Sequence, residues 1–155
     1  MQELEALAAQ IHICHQCRLA RNRTHAVPGA GSVAARIMFV GEAPGFHEDQ
    51  QGVPFVGAAG QLLNNLLNKL GLRREEVYIA NILKSRPPGN RDPEADEIAA
   101  CLPFLEKQIK AIRPRVIVTL GRISTQALLG TKAPLTRLRG HWQRYQDIRV
   151  MPTFH

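Results

Sequence analysis

The stretch RIMFVGEAPG at residues 36–45 decides the fold class of this chain. Its first half is a short apolar run bounded by glycine and proline, which predicts a buried β-strand. A tight turn of small residues follows and contains one carboxylate, Glu42. In open parallel sheets, ligands bind beyond the carboxyl ends of the strands, and glycine lets a ligand approach the backbone closely. We therefore expect residues 41–45 to form the floor of a ligand site, with an ordinary strand-to-helix connection as the alternative.

The remainder of the chain alternates between strand and helix patterns. Helical spacing of apolar residues is found at 4–13, 58–70, 92–112 and 124–129, and further strand patterns are found at 77–83, 115–121 and 148–154. Because strand and helix alternate along the chain, we expect a parallel sheet with helices on both faces. The sequence shows no internal repeat or linker, so we expect one domain over residues 1–155.

Composition and charge narrow the classes of function. The chain has 155 residues, 20 Lys and Arg against 13 Asp and Glu, and a formal net charge of +7. This balance favours a polyanionic partner, although basic proteins also occur that bind nothing acidic. The sequence contains no apolar run long enough to cross a bilayer and no secretory signal at its start, so we expect a cytoplasmic protein and, in solution, a monomer.

Three cysteines, an odd number, argue against a disulfide framework. Cys14 and Cys17 form a Cys-x-x-Cys pair at the end of the first predicted helix. Two thiolates at this spacing can share one metal centre, either zinc or an iron–sulfur cluster. A redox dithiol is the rival interpretation, although such dithiols usually follow a strand and open a helix.

Two residues near predicted strand ends suit a flat, polar ligand. Phe55 lies between a proline and glycines, next to the expected crevice, and could present its ring face to such a ligand. Its alternative is a core phenylalanine. Asn81 lies near the carboxyl end of the second strand, where its amide offers a donor and an acceptor that suit a nucleobase edge. Its alternative is an amide that ties down the next loop.

Two basic loops predict contacts with a phosphate backbone. One is the proline-rich loop KSRPPGNRDP at residues 84–93, and the other is RLRGHW at residues 137–142. The candidate DNA-binding residues in these loops are Lys84, Arg86, Arg91, Arg137 and Arg139.

Taken together and in order, these motifs resemble the iron–sulfur uracil-DNA glycosylases, family four of their superfamily. The resemblance rests on GEAPG at 41–45, PFVG at 54–57, IAN at 79–81, RPPGNR at 86–91, the Cys-x-x-Cys pair and Cys101. It implies a three-layer α/β/α sandwich with a four-stranded parallel sheet. It also implies a DNA repair enzyme that hydrolyses the N-glycosidic bond of uracil in single- or double-stranded DNA and leaves an abasic site.

The resemblance also implies the roles of individual pocket residues. Gly41, Glu42 and Ala43 are similar to the motif that lines the uracil pocket and positions the attacking water, with Glu42 as the polar catalytic group. Phe55 is similar to the residue that stacks on the flipped base. Asn81 is similar to the residue that reads the Watson–Crick edge of the base.

Three further residues are assigned by the same resemblance. His155 lies where the family has a catalytic histidine close to uracil O2. Such a donor would stabilise the negative charge that the leaving base acquires. Glu48 and Asn90 fall at family positions that support the site.

The chain departs from the family pattern in two places. The family binds a 4Fe–4S cluster through four cysteines; Cys14, Cys17 and Cys101 match three of them, but Ser85 replaces the fourth. A serine oxygen is a harder and poorer iron ligand than a thiolate, so we expect a labile or incomplete cluster. The chain also ends at His155, where the family continues, and we expect a C-terminal truncation.

These departures leave two alternatives to a uracil-excising enzyme. One is a non-catalytic or degenerate DNA-binding module that keeps the fold. The other is a relative that traps uracil-containing DNA covalently, but the loop after the second strand is short and lacks the nucleophilic histidine of such relatives.

Overall fold

The computed structural model describes residues 2–12, 23–87 and 91–153. Four predicted site residues lie outside these ranges: Cys14, Cys17, Asn90 and His155. The predictions made for them therefore remain predictions.

The sheet has a parallel centre and antiparallel edges. The described strands are β1 (Ala30–Gly31), β2 (Ile37–Gly41), β3 (Tyr78–Asn81), β4 (Val116–Leu120), β5 (Gln143–Tyr145) and β6 (Ile148–Thr153), in the order β1-β3-β2-β4-β6-β5. Strands β3, β2, β4 and β6 pair in parallel, which confirms the predicted four-stranded parallel sheet. Strands β1 and β5 add to its edges in antiparallel orientation, so the described sheet has six strands and is mixed.

The helices lie near the predicted positions, with two additions. They are α1 (Gln2–His12), α2 (Phe46–Gln51), α3 (Ala58–Lys69), α4 (Ala95–Ile112), α5 (Arg122–Leu129) and α6 (Leu135–Leu138), with a 3₁₀ helix at Arg74–Glu76. Helices α2 and α6 were not predicted because six and four residues are too few to show helical periodicity. Among the described helices, none has the length and apolar character that a membrane span requires.

Two apolar layers cover the two faces of the sheet, as the alternation of side chains along a strand requires. On one face, Met38 and Val40 of β2 pack with residues of α4 and α5. On the other face, Phe39 packs with Leu63 and Leu67 of α3. This arrangement confirms the three-layer α/β/α architecture. Burial of each such side chain stabilises the fold by roughly 1.5–3 kcal/mol.

Candidate active site

The register of the two central strands places the predicted site residues side by side. Gly41, the last residue of β2, pairs with Asn81, the last residue of β3. The pairing continues beyond the strands, since the Ile82 amide donates to the Gly41 carbonyl at 2.9 Å and the Leu83 amide donates to the Glu42 carbonyl at 3.0 Å. Glu42 and Asn81 are therefore held at the same edge of the sheet, where parallel strands present a ligand crevice.

A cavity of about 250 Å³ lies at this edge. Its walls bring together Glu42, Ala43, Phe55 and Asn81, all of which were predicted from sequence to line one pocket. The complete lining is Glu42, Ala43, Pro44, Gly45, Glu48, Phe55, Ala59, Asn81, Pro87 and Arg91. Residues 42–45 of the turn thus line a cavity and do not only connect two elements, whereas Gly41 is not part of the lining.

Gly41 is the residue that allows Phe55 and Asn81 to approach each other. A Cβ atom built at Gly41 would lie 2.5 Å from Asn81 Oδ1 and 2.5 Å from Cζ of Phe55. Atoms at such distances overlap, so any larger residue would push the ring or the amide away. The requirement for glycine here is steric, and it comes from the two pocket residues themselves.

The side-chain oxygen of Asn81 is buried and has no hydrogen-bond partner within the described part of the chain. The residue is 2 % exposed. An unsatisfied buried acceptor costs roughly 1–3 kcal/mol, so such groups are rare in folded proteins and call for an explanation. The amide oxygen does not tie down the following loop, which was the alternative interpretation. It is available to a donor on a ligand.

Phe55 has a left-handed backbone conformation, with φ at 53°, which is costly for a bulky residue. Arg74 holds this conformation from outside: Nη1 donates to the Phe55 carbonyl at 2.7 Å, and Nη2 donates to the Pro54 carbonyl at 2.7 Å. Gly60 of α3 lies so close that a Cβ there would collide with the Phe55 carbonyl. These contacts fix the orientation of the ring. No sequence pattern indicated that Arg74 would hold the backbone of Phe55.

The Phe55 ring serves two purposes that were posed as alternatives. It packs in the apolar layer with Phe39 and Leu63, and it also forms part of the cavity wall. The core packing immobilises the ring that a ligand would meet. A rigid aromatic surface loses less conformational entropy on binding than a mobile one.

Glu48 joins two walls of the cavity. Its Oε1 accepts from the Gly45 amide at 2.9 Å, and its Oε2 accepts from the amides of Val56 and Gly57 at 2.9 and 2.8 Å. Burial raises the pKa of this carboxyl, but the backbone donors outweigh burial and hold the pKa below its ordinary value. Glu48 is therefore a carboxylate at neutral pH whose oxygens are already engaged, which fits a supporting position.

Lys84 does not occupy the position that its charge suggested. The residue is 1 % exposed, and its Nζ donates to the Asn81 carbonyl and to Gln108 Oε1, both at 2.8 Å. Burial lowers the pKa of Lys84 to about 7, against an opposing effect of Cys101. The prediction that Lys84 contacts DNA phosphates is wrong, because its side chain turns inward from the end of β3 to reach α4. Lys84 instead holds the backbone of Asn81 through its hydrogen bond to the Asn81 carbonyl.

The four predicted arginines lie at the same edge of the sheet as the cavity. Arg91 lines the cavity and forms a two-pronged pair with buried Glu97, at 2.8 and 2.7 Å. Arg86 lies with its guanidinium carbon 5.4 Å from the centre of the Phe46 ring. Arg137 and Arg139 are exposed near the carboxyl end of β6, since the adjacent Gly140 amide donates to the Pro152 carbonyl.

Two of the four predicted metal ligands are described, and both are buried. Cys101 packs against Leu83, and Ser85 Oγ accepts a hydrogen bond from Arg23 Nη1 at 2.9 Å. Within residues 2–12, 23–87 and 91–153, no group of three or more side chains could hold a metal ion. A serine hydroxyl bound by a cationic guanidinium is a poor substitute for a thiolate. This donor set therefore does not fit a cluster that requires four cysteines.

Comparison with known proteins places this geometry in a family. The sequence model of the Uracil DNA glycosylase superfamily matches residues 28–155. A type-4 uracil-DNA glycosylase of Sulfurisphaera tokodaii is 48% identical, over 100% of this chain and 74% of the relative. The type-4 enzyme of Saccharolobus solfataricus is 49% identical over 100% and 76% of the two chains, and that of Thermotoga maritima is 46% identical over 98% and 80%.

Proposed function

The chain belongs to the uracil DNA glycosylase superfamily and to its type-4 family, and from this premise we propose that it is a DNA repair glycosylase that excises uracil. The observation that carries the proposal is a single cavity lined by Glu42, Phe55 and Asn81, whose side-chain oxygen has no partner among the described residues. The reaction hydrolyses the N-glycosidic bond of an extruded nucleotide and leaves an abasic site. The alternative of a non-catalytic DNA-binding module is not favoured, because the pocket is assembled.

The first requirement of this reaction is that the base leave the duplex. While the base is stacked in the duplex, a water molecule bound in the active site cannot reach its glycosidic bond. The nucleotide must therefore rotate into the cavity, at an energetic cost of a few kcal/mol. The buried, immobilised ring of Phe55 replaces part of the lost stacking. In this proposal Gly41 lets the ring lie close to the amide of Asn81, so one base can contact both.

The second requirement is discrimination between uracil and cytosine. Uracil presents an N3–H donor and an O4 acceptor, whereas cytosine presents an N3 acceptor and an N4 donor. The Asn81 oxygen would accept from N3–H, and its amide nitrogen would donate to O4. With cytosine, the Asn81 oxygen would face the N3 acceptor and the amide nitrogen would face the N4 donor, so neither hydrogen bond would form. A good bidentate pair discriminates between bases by about 1–3 kcal/mol.

The third requirement is the bond cleavage itself. A water molecule positioned by Glu42 adds its oxygen to C1′ of the sugar, and its proton passes to the carboxylate. The C1′–N1 bond breaks, and its electron pair stays with the base, spread over the ring and O2. We propose His155 as the donor to O2. We also propose that Ala43 lines the pocket and that Glu48 and Asn90 support it.

A direct test is the formation of abasic sites on an oligonucleotide that contains one uracil. We expect cleavage at that position after alkali treatment, and no cleavage of a matched strand that carries cytosine or thymine. Protein that binds the uracil strand without ever releasing free uracil would overturn the proposal in favour of the binding module.

We propose that Arg86, Arg137 and Arg139 contact the phosphates of single- or double-stranded DNA. We propose the same role for Arg91, although its guanidinium is already paired with Glu97. Replacement of exposed Arg137 by Gln should reduce the slope of log affinity against log salt by about 0.9 on duplex DNA for one lost phosphate contact. Exposed Arg113, beyond the end of α4, supplies the matched control, Arg113→Gln, which should leave the slope unchanged.

We propose that iron is bound through Cys14, Cys17 and Cys101, with Ser85 unable to serve as a full fourth ligand of a 4Fe–4S cluster. No step of the reaction above depends on this group. The test is Ser85→Cys, which should raise the iron and acid-labile sulfide that remain bound after purification. Equal metal content in both proteins would contradict the assignment of Ser85 to the cluster.

We propose that the chain is a single domain, since its described strands form one sheet, and that it acts as a monomer. Light scattering during size-exclusion chromatography tests this. A mass of two chains in the active fraction would contradict it.

A further inference from the structure

Exposed Phe46 and half-buried Arg86 form an aromatic–arginine pair that the pocket chemistry above does not use. Phe46 is 52 % exposed, although it is a large apolar residue at the first position of α2. The guanidinium carbon of Arg86 lies 5.4 Å from the ring centre, within the range of a cation–π interaction. Phe46 belongs to none of the four apolar clusters of the described chain.

The pair lies directly beside the cavity. Phe46 follows Gly45, and Arg86 precedes Pro87, and both of these neighbours line the cavity. Contact between the ring and the guanidinium therefore joins the beginning of α2 to the loop after β3. A ligand that enters the cavity as part of a longer strand would place its adjoining units next to this pair.

We propose that Phe46, with Arg86, forms a second stacking surface for the base that adjoins the extruded nucleotide; this inference rests on the proposed function. Extrusion of one nucleotide removes a stacking partner from its neighbour and exposes the face of that base. An aromatic ring can replace that partner whatever the base, because every base has a π face. The guanidinium adds a positive charge for the phosphate beside it.

The molecule contains a matched control for this pair. Trp142 is 51 % exposed, and the guanidinium carbon of Arg149 lies 5.2 Å from its ring centre. The two rings have nearly the same exposure, and the two ring–guanidinium separations are similar. Trp142, however, precedes β5, the last strand on one side of the sheet, and β4 and β6 separate β5 from β2. The two pairs therefore share their chemistry but lie beside different strands.

The experiment compares Phe46→Ala, Phe46→Tyr and Trp142→Ala with the wild-type protein. The probe is a single strand with one 2′-fluorinated uracil nucleotide, which resists hydrolysis, and with 2-aminopurine as its neighbour. We expect Phe46→Ala to weaken affinity about ten-fold, within the range for one lost base–aromatic stack. We expect Phe46→Tyr to bind as the wild type does, and Trp142→Ala to keep the wild-type quenching of the neighbouring base, whatever its overall affinity. Quenching of 2-aminopurine fluorescence on binding should be lost in Phe46→Ala alone.

Inhibition by free uracil separates the stacking surface from the cavity. Free uracil occupies only the cavity, so its inhibition constant should be unchanged in Phe46→Ala. Wild-type affinity and wild-type quenching in Phe46→Ala would overturn the inference while uracil excision stands. An equal loss of 2-aminopurine quenching in Trp142→Ala would also overturn it, because the effect would then not depend on location. Absence of uracil excision by the wild-type protein would overturn the proposed function and, with it, this inference.

Discussion

The carboxyl end of β4 and the carboxyl ends of β2 and β3 are built from similar sequence but differ in how their buried polar atoms are used. At β4, the hydroxyls of Thr119 and Thr125 lie 2.8 Å apart, and Thr125 and Ser124 both donate to the Gly121 carbonyl, at 2.7 and 3.2 Å. At β3, the buried side-chain oxygen of Asn81 has no partner within the described chain, and Asn81 lines a cavity.

This difference separates a structural strand end from a binding one. Buried polar groups that bond to each other stabilise the fold, whereas an unsatisfied one destabilises it by about 1–3 kcal/mol unless a ligand supplies its partner. The β4 end is complete without a ligand. The β2–β3 end is complete only when a donor reaches Asn81, so substitutions at the two ends should have opposite consequences.

The largest expected effect is on catalysis at the β2 end. Glu42→Gln keeps the size and polarity of the side chain but removes the carboxylate that we propose as the acceptor of the proton of water. Uracil excision should fall by a factor of about 100 to 10,000, the usual range for general acid–base catalysis. Single-turnover rates on a uracil-containing strand measure this. Affinity for the uncleaved strand serves as the control and should change little.

The next effect is on recognition at the β3 end. Asn81→Ala removes both of the hydrogen bonds that we propose to the uracil edge and should reduce excision roughly 5- to 150-fold, the equivalent of one bidentate contact. The free energy of unfolding should stay the same or rise slightly, because the substitution deletes an unsatisfied buried oxygen. A clear loss of stability in urea unfolding would mean that Asn81 is a structural residue like those at β4.

The complementary change at β4 should have the reverse pattern. Thr125→Val removes the hydroxyl that bonds to Thr119 and to the Gly121 carbonyl. The free energy of unfolding should fall by about 1–3 kcal/mol, since buried partners lose a hydrogen bond. Uracil excision by the folded protein at 25 °C should be unchanged. A drop in the excision rate without a drop in stability would erase the distinction between the two strand ends.

The smallest expected effect is on the pH dependence of stability, through the carboxylate of Glu48. The pKa of Glu48 is lower in the folded protein than in the unfolded chain, so its contribution to stability is present above the unfolded pKa and is lost as the pH falls through the folded pKa. Thermal unfolding of the wild-type protein should shift to lower temperature on acidification. In Glu48→Gln this acid dependence should be weaker, because no proton is taken up at this position. Equal slopes for both proteins would contradict the role of Glu48 as a carboxylate that joins the cavity walls.

The parts of the fold that could be predicted are those whose signals extend over several residues. The apolar runs at β2 and β4 and the leucine spacing of α3 each span five or more residues, and they identified the parallel centre and the layers. Strands β1 and β5 have two and three residues. They are stabilised by a neighbouring strand rather than by their own sequence pattern, so no local signal marked them.

The sequence by itself determined the chemical groups of the pocket. A carboxylate at Glu42 and an amide at Asn81 stand at strand ends that parallel pairing brings together, and a ring at Phe55 stands in the segment between α2 and α3. Only the tertiary structure decided that Lys84 turns inward to Asn81, that Arg74 holds Phe55 in a left-handed conformation and that Asn81 Oδ1 has no partner among the described residues. The physical reason is that residue type and local periodicity set charge and secondary structure. Burial and hydrogen-bond satisfaction, however, depend on which distant segments pack together.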